Sequence, residues 1–329
     1  MSSLQVMTNT APRRMVAGDL RCATRARVAG LDPIGTTGSH RGYLLGDVAL
    51  PWPPDLAGLD EVAAAQRLLA GTGIRFQAVV PGEVHRAVLY RRRPTMSGVS
   101  TPDLLRSETI VDARSGGLVG ATQRLLDTAP GDARGPRREV LVCTHGRRDV
   151  CCGARGSRLH LEVVSAPELL GVDVEVRRTS HTGGHRFAPT AVVLPEGTGW
   201  AYLDAALLGA IVGRSGPIEA VLGHYRGWSA LGSARLQALE RAVLGQVGWG
   251  LFDRPRGGLV MDQRARLHVA EADGSVSSWE AAVTAGRRLA RPECGEVSRL
   301  DDQTDAEWIV GRLRHSTHGS TRLMGGPRG

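Results

Sequence analysis

At 329 residues, the chain exceeds one ordinary compact core and predicts two or three domains of roughly 100 residues each. Its 42% hydrophobic and 22% charged residues exclude a disordered chain, and no stretch reaches the roughly 18 uninterrupted apolar residues of a membrane span. The net charge of +8 comes from arginine alone, because the sequence has no lysine, and it favours acidic partners.

Residues 1–17 read as a flexible tail, polar and without the apolar centre of a secretory signal, which points to the cytoplasm. An α/β domain is expected over 18–130. Residues 42–50 predict a strand closed by Pro51-Trp52-Pro53-Pro54. Residues 59–70 carry Val62, Leu68 and Leu69 at helical spacing, and strands follow at 74–80 and 84–91 around the Pro81-Gly82 turn. The Gly-, Pro- and Arg-rich stretch 126–138 predicts a linker.

A second α/β domain is expected over 137–228. It has a strand at 139–144, a helix at 157–170 broken at Pro167, and strands at 172–178, 187–194 and 200–203. Helices are predicted at 205–212 and 217–223, the latter opened by a first-turn proline. The two α/β segments share a weak β-α-β-β echo. Residues 229–329 form a C-terminal α+β region of unassigned role: a helix at 234–244, short strands within 257–272, a helix at 277–290 and a loose tail after Ser316.

Five cysteines occur, and three of them, Cys143, Cys151 and Cys152, lie close in sequence. In a reducing compartment such crowding points to metal binding or thiol chemistry. Two segments carry the signal: CTHGRRDVCCG (residues 143–153) and SHTGGHRFAP (residues 180–189). Each begins where a strand ends, so the two loops can face each other and close a site of four donors: Cys143, Cys152, His181 and His185. Gly183 and Gly184, between the histidines, disfavour helix and permit a tight turn with positive φ. No glutamate stands beside His181 to act as a zinc protease's general base. Soft thiolates with imidazoles suit an iron–sulfur cluster or zinc.

These two segments resemble the sucrase/ferredoxin-like family, and GTTGSHRGYLLGDVALPWP (residues 35–53) is similar to that family's opening, so the likeness runs over about 18–228. The resemblance implies a thioredoxin-like ferredoxin domain at 137–228. Its [2Fe–2S] cluster would be held by Cys143 and Cys152 in a Cys-x8-Cys pair and by His181 and His185 in a His-x3-His pair. The protein would then be an electron carrier rather than an enzyme with its own substrate, working with a redox partner protein of acidic surface. Exchanging two thiolates for imidazoles raises the potential from about −400 mV toward −150 to +300 mV and makes it pH-dependent.

Other residues near the motifs are candidates for a supporting role. Cys151 reads as a packing or outer thiol, because adjacent side chains diverge, with ligation in place of Cys152 as the alternative. His145 is a loop histidine facing water or the site; Asp149 is expected to bond backbone N–H groups in its own loop. Arg148 and Arg186 flank ligands and favour a reduced centre, and Arg186 can pair with a carboxylate to hold the turn. Cys22, Cys294, His40 and His318 have no partner in the sequence pattern and read as structural or surface residues. The competing reading is a zinc-stabilised binding or regulatory module that contacts nucleic acid through arginines. Those arginines are scattered, as on a solvated surface.

Overall fold

A computed structural model describes residues 21–93, 99–129, 138–294 and 304–318. The predicted tail at 1–17, residues 130–137 of the predicted linker and the chain beyond 318 lie outside the described residues.

After a short helix α1 (Cys22–Val28), the first α/β half begins. Strand β1 (Gly42–Asp47) leads into α2 (Asp60–Leu69), which returns the chain as the parallel strand β2 (Ile74–Val79). Both faces of β1 are covered: Leu44 packs with Leu118 and Val62, while its neighbours Tyr43 and Leu45 pack with Leu141 and Leu194. Helix α2 buries Val62, Ala65 and Leu69, one apolar stripe, and places Asp60 and Glu61 in its first turn, where the helix dipole favours them. Strand β3 (Arg86–Arg91) adds antiparallel to β1, β4 (Leu105–Ile110) adds antiparallel to β3, and α3 (Gly117–Asp127) closes the half.

The second half repeats this order. Strand β5 (Arg138–Cys143) is followed by a helix that opens at residues 150–151, passes through a π-turn over Cys152–Gly156 and continues as α4 (Ser157–Ser165). Strand β6 (Val174–Thr179) lies parallel to β5; β7 (Ala191–Leu194) and β8 (Thr198–Trp200) follow antiparallel. Helices α5 (Ala205–Gly213) and α6 (Glu219–Leu222) precede β9 (Tyr225–Trp228), a strand that the sequence pattern did not reveal. The strand predicted from 187 starts at Ala191, because Phe187 belongs to a 3-10 turn and Pro189 has no N–H for a ladder.

All nine strands form one sheet in the order β4-β3-β1-β2-β6-β5-β7-β8-β9. From its centre outward the halves read 2-1-3-4 and 6-5-7-8, so the echo in the sequence is a repeat of topology. They meet where the last residues of β2 and β6, Val79 and Thr179, pair antiparallel. Ser180 N–H to the Ala78 carbonyl and Val80 N–H to the Arg178 carbonyl extend this seam. The mixed α/β class expected from the sequence is what the structure has.

The C-terminal region is a second sheet with a helix on it. Helix α7 (Ala234–Val247) is capped by the Ser233 hydroxyl, and β10 (Arg256–Met261), β11 (Arg264–Ala270), β12 (Val276–Ala290), β13 (Thr304–Val310) and β14 (Arg314–His318) follow. The helix expected at 277–290 is therefore wrong: β12 is a long strand paired with β11, β13 and β14. Its alanines favour helix locally, but Ala281 and Val283 face the core with exposed Ala282 between them, the period of a strand. Leu236, Leu239 and Val243 of α7 share one core with Leu267 and Val283 of this sheet and Val140, Trp200 and Trp228 of the nine-stranded one. A buried ion pair between Arg256 and Glu240, 2.7 Å apart, fastens the same junction, with the Tyr225 hydroxyl donating to Glu240.

Candidate metal centre

Because β5 and β6 are parallel neighbours, their carboxyl ends lie side by side, with Cys143 paired to Thr179. The loops that leave them, 144–149 and 180–184, therefore share one edge of the sheet. Cys143 is the last residue of β5 and is fully buried. Cys152 returns to it because Gly153 and Gly146 touch: a Cβ on Gly153 would stand 2.5 Å from the Gly146 Cα. Gly183 and Gly184 take φ of +83° and +67°, the left-handed turn their spacing implied. A Cβ on Gly184 would meet the Arg226 guanidinium at 2.7 Å, so the turn rests directly on that side chain.

The ligand atoms of Cys143, Cys152 and His181 lie within 4.8 Å of one another. Cys152 donates to the Cys143 sulfur, which also receives His181 and the His145 backbone N–H; together these hold the Cys143 thiol well below its usual range despite burial. Cys152, donor to that thiolate and itself buried, is pushed well above the usual range. Burial opposes a charge on His181, but Asp149 and Cys143 beside it raise its pKa. His181 Nδ1 is 2.7 Å from Asp149 Oδ2, yet the contact is too bent for a hydrogen bond, and both atoms are buried without a hydrogen-bond partner among the described residues. Two soft sulfurs and an imidazole converging around unsatisfied polar atoms suit a soft or borderline metal group.

His185 is placed differently. Its Nδ1 is 3.2 Å from the Cys22 sulfur and 3.3 Å from Asp149 Oδ1, and its Nε2 is 3.0 Å from Glu293 Oε2. The two imidazole centroids are 6.1 Å apart. Three of the four expected donors thus meet at one point, and the fourth stands at its border.

The surrounding candidates have definite partners. His145 is buried away from water: its Nε2 is 2.8 Å from the Pro53 carbonyl and its ring meets Trp52 edge-on. Asp149, expected to serve its own loop, instead stands between the two histidines. Its pKa is lowered: burial works against this, but His181 and His185 prevail. Arg148 is exposed and donates to the Pro54 carbonyl. Arg186 is buried and pairs with Asp305 of β13, which holds the histidine turn to the C-terminal sheet. The first half walls the site: Arg75 and Gln77 of β2 both donate to the His181 carbonyl, at 2.6 and 3.3 Å.

Cys151 does not enter the first group. On a helix, successive side chains diverge by about 100°, and Cys151 faces away from Cys152, toward Cys22 and Cys294. The reading of Cys22 and Cys294 as residues without partners is overturned: with Cys151 they form a second group whose sulfurs lie within 4.8 Å. Their sequence distance from the motifs concealed this. The signal available was the odd count of cysteines in a chain that already brings two together.

Among curated proteins, the chain is similar to "Altered inheritance of mitochondria protein 32" of Meyerozyma guilliermondii, 39% identical over 59 residues, which is 17% of this chain. The chain spans about a fifth (21%) of that relative's length. No solved structure matches. The opening segment at 35–53 lies outside the family match, but both motifs lie within it: over residues 67–227 the chain matches the family described as Sucrase/ferredoxin-like, which supports the likeness those motifs carry.

Proposed function

We propose that the chain is a one-electron carrier of the thioredoxin-like ferredoxin type, with a [2Fe–2S] cluster held by Cys143, Cys152, His181 and His185. One observation carries this reading: Cys143, Cys152 and His181, drawn from a strand end, a helix start and a loop, bring their donor atoms within 4.8 Å in a mostly buried place. The cluster supplies reversible uptake of a single electron. The chain's own residues shape the conditions for it. Cys143 and Cys152 are fully excluded from water. Asp149 stands against His181 and borders His185, which places one carboxylate beside both imidazoles.

Charge near the site favours the more negative state. Arg226 is almost wholly buried against Gly184, and its pKa is pulled down to about 10 by burial and then by Arg186 and Arg75, so three guanidiniums crowd one side of the centre. An added electron is stabilised there, which supports a raised potential. Arg147 and Arg148, both exposed on the loop between the two cysteines, suit an acidic redox partner.

The test is metal content and colour. Full-length protein purified without oxygen should contain two irons per chain and be red-brown, bleaching on reduction. The potential should fall as pH rises, approaching about 59 mV per unit for one proton per electron. The variant His181→Cys should keep the colour at a lower potential. Colourless protein carrying zinc at Cys143 and Cys152 would reject the carrier in favour of a zinc-stabilised binding module.

A further inference from the structure

The second thiol group is built from three remote parts of the chain. Cys22 is the first residue of α1, Cys151 lies at the opening of the helix that leads into α4, and Cys294 follows β12. Their sulfurs form a near-equilateral triangle: 3.4 Å from Cys22 to Cys151, 3.3 Å from Cys151 to Cys294 and 3.1 Å from Cys294 to Cys22. Cys22 and Cys151 are fully buried and Cys294 is partly so. A disulfide joins two sulfurs at about 2.05 Å and would leave the third out. Three equivalent separations suit one central atom bound by all three.

Backbone N–H groups and a guanidinium approach the triangle. The Ala23 N–H is directed to the Cys151 sulfur and the Cys22 N–H to the Cys294 sulfur. Arg155 lies close enough to Cys151 to stabilise its thiolate and donates to the Thr24 hydroxyl of α1. Three thiolates carry three negative charges; a divalent cation cancels two, and Arg155 offsets the third. A nitrogen donor, His185 Nδ1, lies 3.2 Å from the Cys22 sulfur.

We propose that Cys22, Cys151 and Cys294 form a second metal site, distinct from the one at Cys143 and Cys152, for a soft closed-shell cation, Zn2+ or Cu+. Thiolates select such ions over magnesium, calcium or manganese. Divergence of the vicinal pair assigns Cys152 to one centre and Cys151 to the other. The bound ion ties α1 and the end of β12 to the helix that carries Cys152.

The experiment is metal analysis of full-length protein from cells grown with added zinc and, separately, with added copper. One zinc or one copper per chain is expected beyond any iron, and the better-retained ion identifies the native one. In Cys22→Ser and Cys294→Ser this ion should be lost while iron and colour remain; in Cys143→Ser iron should be lost while the ion remains. Retention of the ion by both Cys22→Ser and Cys294→Ser overturns the proposal. A measurement on the unaltered chain does not depend on how the variants fold. Alkylation mapped by mass spectrometry should reach Cys22, Cys151 and Cys294 only after a chelator removes the ion. Equal labelling before and after, or a disulfide between any two of the three, rejects the site.

Discussion

Gly156 sits at the last position of the π-turn, and its φ of −67° is ordinary for any residue. Alanine there gains about 0.5–1 kcal/mol from helix propensity alone. The structure forbids that gain, because the added Cβ would stand 1.9 Å from the Cys143 carbonyl oxygen, where real contacts stay above 3.0 Å. Strand end and helix must part by about 1.1 Å, the difference of those two distances (3.0 − 1.9). Overpacking of this kind costs about 1–3 kcal/mol, or a fall in Tm of roughly 1.5–4.5 °C for a chain of 329 residues. Donor positions tolerate about 0.5 Å of error, half the displacement, so iron content in Gly156→Ala should fall further than stability does. Gly58→Ala is the control: nothing lies within 4 Å of its Cβ, and Tm should hold within about 1 °C. Differential scanning calorimetry with iron analysis reads both quantities. Wild-type Tm and iron content in Gly156→Ala would show that the helix need not rest on the end of β5, and the steric argument would fail.

Breaking the Arg256–Glu240 pair should be costly. Both side chains are almost wholly buried, so Arg256→Met leaves an uncompensated carboxylate and should cost about 3–5 kcal/mol, whereas Arg256→Met with Glu240→Leu should recover most of it. Urea midpoints measure both, and equal losses in the single and double variants would contradict this. His40 predicts a pH dependence: burial, then Arg75, lowers its pKa to about 4 from 6.5. The fold therefore favours the neutral ring. Its contribution is complete above about pH 6.5 and erodes as pH falls toward 4, by roughly 1–2 kcal/mol once solvent screening of this partly exposed group is allowed for. His40→Gln should flatten the stability curve over that window, and an unchanged slope would exclude His40 as its source.

The first group of donors was legible because its chemistry is local. Cys143 and His181 each follow a strand closely, and parallel pairing of those strands is enough to bring the loops together. Gly183 and Gly184 stated the turn. Cys22 and Cys294 were illegible because nothing near them in sequence indicates that α1 and the end of β12 reach the helix after Cys143. Asp149 was misread for a related reason: in its own loop it resembles any turn aspartate, and only the opposing histidines give it a different task. Residues 277–290 read as helix because alanine and arginine favour one, whereas pairing with neighbouring strands decides the outcome. Short β9 escaped because Tyr225-Arg226-Gly227-Trp228 alternates too briefly to register.

The matching halves have divided their labour. After β1 and β2 the first half carries residues 48–54 and 80–82, where neither cysteine nor histidine occurs and proline dominates. It gives Trp52 and Pro53 to His145, and Arg75 and Gln77 to the His181 carbonyl. A segment cut at residue 138 would lose this roof and expose the backbone at Thr179 and Ser180. The silent twin thus covers one side of the thiols, while Gly146, Arg147 and Arg148 on the loop between the cysteines stay exposed.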